Sequence, residues 1–139
     1  MELIRIGLNR LSELKSLQIA YKQEIGEEEP TEENFQSLAQ AIQNGDILFY
    51  GCIVEERLIG CCSVSPTYST FNYQKSGVFE DFYILPPYRH NGIARKLVSY
   101  AYEQSCVGSL AVGCANCDVE MYQSLSFSIP IGNLLAYDG

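Results

Sequence analysis

Apolar positions recur along the chain at two spacings, and the switches between them lay out the elements. Leu3, Ile4 and Ile6 make the apolar part of a first strand over residues 1–6. Leu11, Leu14, Leu17 and Tyr21 fall near one face of a helix over residues 11–25. Thr31 is a good N-cap for a second helix, and Glu32 and Glu33 suit the positive end of its dipole. Phe35, Leu38, Ala39 and Ile42 then sit at i, i+3, i+4 and i+7, the strict amphipathic pattern, until Asn44-Gly45 ends it.

The spacing then shortens. Residues 47–54 and 58–64 are apolar runs joined by Glu55-Glu56-Arg57, which predicts a hairpin. Residues 66–77 are polar and rich in Tyr and Ser, and predict a loop. Val78 to Leu85 is an apolar run of aromatic and β-branched residues, hence a buried strand. Pro86-Pro87 stops it, because neither residue can donate to a ladder. Ile93, Leu97 and Ala101 are spaced by four, with Ala94 and Val98 widening the stripe, and Gly108 offers a stop. Leu110 to Val112 predicts a short strand, and Asp118 or Asn116 caps a short helix through Leu125. Residues 127–137 offer one strand, or two very short ones around Gly132-Asn133. The order β-α-α-β-β-β-α-β-α-β predicts one α/β domain with a mixed sheet over residues 1–139.

Composition narrows the function classes. With 17 acids against 9 bases the net charge is −8, which disfavours nucleic acid and favours cationic small molecules, although solubility alone also accounts for it. No apolar run approaches the roughly 20 residues of a membrane helix, and Glu2 and Arg5 interrupt the N-terminal apolar stretch. The expectation is a cytoplasmic protein with no membrane partner. Six cysteines then read as reduced thiols, with the neighbours Cys61 and Cys62 on opposite faces of a strand. Cys114-x-x-Cys117 is a lone pair, and a zinc site would want two more ligands, so no metal is expected.

The candidate chemistry lies where the strand over residues 78–85 turns into the following helix. Arg89-His90-Asn91-Gly92-Ile93-Ala94 places small residues at a helix start. There the backbone N–H groups lack partners and the dipole is positive, so an anion can approach. An ordinary βα turn would also carry a glycine.

These residues resemble a known family. Arg89-x-x-Gly92-x-Ala94, after an apolar strand and a Pro-x-Tyr-Arg turn, looks like the (Gln/Arg)-x-x-Gly-x-(Gly/Ala) signature of the GNAT acetyltransferases. Glu80-Asp81-Phe82-Tyr83-Ile84 with Pro86 is similar to the branch that acetylates polyamines and related small amines. The resemblance implies a mixed sheet whose splayed central strands form an acetyl-CoA cleft, and an enzyme that moves acetyl to a small-molecule amine.

It also implies roles. His90, Asn91, Gly92, Ile93, Ala94 and Arg95 would hold the cofactor diphosphate. Phe82, Tyr83 and Ile84 would follow a β-bulge and offer a backbone N–H to the thioester carbonyl. Glu80 would act as base through water, and Glu80 or Asp81 would anchor the ammonium; an edge-strand solubility device is the other reading of the two acids. Tyr122, in Tyr-Gln-Ser-Leu-Ser-Phe, would protonate the leaving thiolate, with Ser126 where the family has Gly. Asn116 would contact the cofactor, although it stands six residues before that Tyr rather than seven. The stretch after Phe127 is shorter than a full hairpin, leaving the acceptor site open or completed by a second copy in a homodimer. Rival readings are a non-catalytic acetyl-CoA-binding module, a protein or peptide N-acetyltransferase, and an interaction protein that holds a basic partner on the acidic loop.

Overall fold

The computed structural model describes residues 1–139. A single five-stranded sheet forms the middle layer. Its strands are β1 (Glu2–Ile6), β2 (Leu48–Val54), β3 (Arg57–Ser69), β4 (Gln74–Ile84) and β5 (Ser109–Val112), side by side in that order. All neighbours are antiparallel except β4 and β5, which are parallel. The helices are α1 (Leu11–Glu24), α2 (Glu32–Asn44), α3 (Ile93–Gln104) and α4 (Val119–Ser124). No helix is long and apolar enough to cross a membrane.

The apolar stripes bury where the spacing puts them. Leu14 and Leu17 of α1 pack with Ile6, Phe49, Cys61 and Tyr83 on one face of the sheet, and α2 adds Leu38 and Ile42. Leu97, Val98 and Ala101 of α3 pack with Tyr50, Cys62, Val64 and Phe79 on the other. Cys61 and Cys62 therefore do face opposite ways. Each fully buried aliphatic side chain of this set contributes about 1.5–3 kcal/mol. At the start of α2, the Thr31 hydroxyl accepts from the Asn34 N–H at 3.1 Å and the Asn34 amide oxygen accepts from the Thr31 N–H at 2.9 Å, a reciprocal capping box.

Three expectations are corrected. Residues 66–77 are a long hairpin rather than a loop, with Thr67 to Ser69 pairing with Ser76 to Gln74. Thr, Tyr and Ser suit an exposed two-stranded ribbon as well as a loop. Pro66 is tolerated because β2 has stopped pairing at Val64, so that edge needs no donor. Helix α3 ends at Gln104, four residues before Gly108. The tenth element is absent, since no strand forms after α4. Pro130 lacks a donor and Gly132 has φ of 104°, so the segment around them has no regular ladder, and Ile129, Ile131, Leu134 and Leu135 stay exposed.

The sheet opens between its last two strands. β5 pairs with β4 only from Ser76 to Phe79, while β4 runs on to Ile84. The backbone groups of Glu80 to Ile84 that point away from β3 thus have no strand partner.

Candidate active site

A β-bulge shapes the open part of β4. Ser63 pairs with Glu80 and Cys61 with Tyr83, so Asp81 and Phe82 stand opposite Cys62 alone. Asp81 takes up the extra residue with φ of 54°, in the left-handed region. The bulge resets the alternation. Phe79 and Phe82 both pack on the α3 face, their rings 5.6 Å apart, while Tyr83 packs on the α1 face. Glu80, directly opposite Ser63, shares the α1 face with Asp81. Alternation alone would have separated the two carboxylates. Glu80 is exposed and Asp81 is half-buried.

Asp81 is held from two sides. The Ser63 hydroxyl donates to its Oδ2 at 2.7 Å, and the Gln18 amide on α1 donates to its Oδ1 at 3.2 Å. Tyr21, one turn further along α1, has its phenol pushed up by burial first and by the Asp81 charge second.

Behind β4 lies a pocket of about 380 Å³. Phe82, Tyr83 and Ile84 form its floor, and His90, Gly92, Ile93 and Ala94 form one wall. Tyr88, Met121, Ser124 and Leu125 also line it, and the sequence motifs that contain Tyr88, Ser124 and Leu125 gave none of them a site role. Ile93 and Ile84 share one buried cluster, which fixes the end of β4 against the start of α3.

The wall suits an anion. His90 and Gly92 both have left-handed backbone, with φ of 66° and 78°, the kind of turn whose backbone N–H groups can form an anion-binding concavity. The first turn of α3 has no side-chain cap. A Cβ at Gly92 would meet nothing within 4 Å, so the backbone there is open to a ligand. The one acid on the lining, Glu24, is paired with Arg89 at 2.8 Å. These features fit the diphosphate of a coenzyme A thioester.

Other expected cofactor residues lie elsewhere. Asn91 and Arg95 are not on the lining, and the Arg95 guanidinium donates to the Ser124 carbonyl at 2.5 Å, tying α3 to α4. Asn116 is exposed in the 3-10 turn before α4.

Tyr122 also sits off the lining, behind Phe82, with ring centroids 6.3 Å apart. Its phenol is pushed up to about 12, first by burial and then by Tyr21, Asp118 and Cys114. The ring packs on Phe82 and Phe127, with the cluster on the α3 face of the sheet. Glu80, Asp81 and Tyr122 thus lie outside the pocket lining, the two carboxylates on the α1 face and the Tyr122 ring packed with the α3-face cluster, while Phe82, Tyr83, Ile84 and the turn before α3 line the pocket itself.

A second, larger cleft of about 880 Å³ lies between α1 and α2 and includes Gln18, Glu27, Glu28 and Asp46. It contains no residue of β4 or α3. The acids beside it are partly matched, since Lys22 lies 3.8 Å from Glu27 and Lys15 lies 3.6 Å from Glu32.

Comparisons with known proteins agree on the fold. The sequence model described as "Acetyltransferase (GNAT) family" matches residues 11–125. A possible acetyltransferase from Clostridium difficile 630 superposes with a TM-score of 0.86 at 14% identity, covering 99% of this chain and 97% of that one. A predicted acetyltransferase from Clostridium acetobutylicum, solved with acetyl-CoA, gives 0.79 at 14% identity over 99% and 95%. An aminoglycoside acetyltransferase from an uncultured soil metagenomic sample, in complex with sisomicin, gives 0.82 at 12% identity over 99% and 95%. At such identities these likenesses establish the fold alone. No curated protein matches the sequence significantly.

Proposed function

The chain belongs to the GNAT acetyltransferase family, whose acyl donor is acetyl-CoA, and from that premise we propose that it acetylates a primary amine of a small cationic acceptor by direct attack in a ternary complex. The observation that carries this reading is the bulge in β4. It turns Glu80 and Asp81 to the same side of the sheet, immediately before the strand residues Phe82 to Ile84 that line the pocket.

Acetyl-CoA, when bound, supplies a thioester carbonyl and a thiolate leaving group. The His90–Ala94 turn binds its diphosphate through backbone N–H groups. An N–H among Phe82, Tyr83 and Ile84 donates to the carbonyl oxygen as charge builds there. Asp81 holds the acceptor's ammonium. Glu80, exposed and beside it, takes the proton through water, since a protonated amine has no lone pair to attack with. Tyr122 stays protonated across the neutral range and donates to the departing sulfur. This phenol is pushed up to about 12 and a free thiol is near 8.5, so the transfer is uphill unless the sulfur is also desolvated. The apolar surroundings of Phe82 and Leu125 provide that desolvation.

A thiol-release assay with acetyl-CoA across a panel of amines tests the reading. Amine-dependent thiol release is expected, falling by about 10²–10⁴ in Glu80→Gln. Coenzyme A binding without turnover of any amine would overturn catalysis and leave a binding module.

A further inference from the structure

Apart from tyrosines and cysteines, the chain buries only three polar side chains, Gln18, Ser63 and Ser105, and two of them converge on a single carboxylate. Ser63 is fully buried in the middle of the apolar run of β3, and Gln18 is 8% exposed on the apolar face of α1. Each interrupts a surface that would otherwise be hydrocarbon. Burying a hydroxyl or an amide costs free energy unless it is hydrogen-bonded, and the one side-chain bond each makes goes to Asp81.

Asp81 itself has two donors and no counter-ion. The four ion pairs of the chain join Arg10 to Glu13, Lys15 to Glu32, Lys22 to Glu27 and Arg89 to Glu24. Both Asp81 donors are neutral and come from different elements, so they fix the direction of the carboxylate without cancelling its charge. They also fix the bulge, because Asp81 is its extra residue.

We propose that Ser63 and Gln18 are positioning residues which aim the Asp81 carboxylate at the acceptor, so that the aliphatic ammonium of the acceptor becomes its missing counter-ion. This rests on the acetyl-transfer reading and adds to it the two residues that set acceptor affinity. Neither touches the acceptor; both act through Asp81.

The test uses spermidine as the acceptor probe. Thiol release at saturating acetyl-CoA is measured for the wild type, Ser63→Ala, Ser63→Thr, Gln18→Leu, Asp81→Asn and the Ser63→Ala/Asp81→Asn double variant. Calorimetry of spermidine onto the coenzyme A complex gives a readout free of turnover. Ser63→Ala and Gln18→Leu are each expected to raise the spermidine KM roughly ten-fold, the weight of one bond to a charged group. In both, kcat and the acetyl-CoA KM stay near wild type, and Ser63→Thr, which keeps the hydroxyl, restores the spermidine KM. Adding Ser63→Ala to Asp81→Asn is expected to change nothing further. Should Ser63→Ala fail to fold, Gln18→Leu, approaching from α1, carries the test. An unchanged spermidine KM in folded variants, or losses that add in the double variant, overturns the positioning role while acetyl transfer stands. If the wild type neither binds nor acetylates spermidine, the acceptor assignment itself falls, and the positioning role with it.

Discussion

Arg89 and Glu24 are joined at 2.8 Å across the mouth of the 380 Å³ pocket, and the same guanidinium donates through Nε to the Ile84 carbonyl at 2.7 Å. It also lies 5.3 Å from the centre of the Tyr83 ring. One side chain thus fastens the end of α1 to the end of β4. The carboxylate half is partly solvated, so Glu24→Gln is expected to cost at most about 1 kcal/mol, and less at high salt. Arg89→Ala removes the carbonyl and ring contacts too, and should cost about 2 kcal/mol. Urea unfolding of the two variants separates these values.

Tyr122→Phe is expected to lower kcat by about 10²–10³ while leaving acetyl-CoA affinity unchanged, as measured by turnover and by calorimetry. Loss of cofactor binding instead would show that the hydroxyl serves binding rather than protonation of the leaving sulfur.

The same phenol predicts a pH effect on stability. Its folded value, about 12, lies above the unfolded one near 10. The unfolded chain therefore ionises first, and the contribution, fully present below pH 10, is lost as pH rises towards 12. Tyr122→Phe should flatten the fall in melting temperature across that window and leave the neutral value of the slope untouched.

Ser126→Gly should stabilise the protein. Ser126 has φ of 78° directly after α4, with its N–H donating to the Gln123 carbonyl and the Phe127 N–H to the Tyr122 carbonyl, both at 3.0 Å. This Schellman ending wants glycine. Removing the Cβ should gain about 1 kcal/mol, or about 3–5 °C in melting temperature.

Gly92→Glu should abolish acetyl-CoA binding in calorimetry. The left-handed φ of 78° makes any side chain costly there, and a carboxylate at the turn would repel a diphosphate. Gly92→Ala isolates the backbone strain and should keep measurable binding. Wild-type affinity in Gly92→Glu would move the anion site away from α3.

Local signals account for what was readable in the chain. Thr31 capping α2, the stripe from Ile93 to Ala101 and the Gly92 turn are all encoded within a few residues. The reciprocal bond that Asn34 accepts from the Thr31 N–H is masked in the sequence by Glu32 and Glu33, which also suit a first turn. The ribbon over residues 66–77 is not legible locally, because its Tyr, Thr and Ser serve strand and loop alike. Gln18, Ser63 and Asp81 could not be linked in advance, as their bonds span 63 and 18 residues and depend on the bulge. The motif places Arg89 in the turn before α3, yet its contacts with Glu24 and Ile84 follow from where α1 ends.

The short ladder between β4 and β5 also sets where this sheet is weakest. Four residue pairs hold β5, against nine between β3 and β4. Amide exchange should be fastest along that boundary, and a bound molecule bridging it would slow exchange on both sides. Occupancy and foldedness then draw on one set of backbone bonds, so the enzyme at work is a sturdier object than the enzyme at rest.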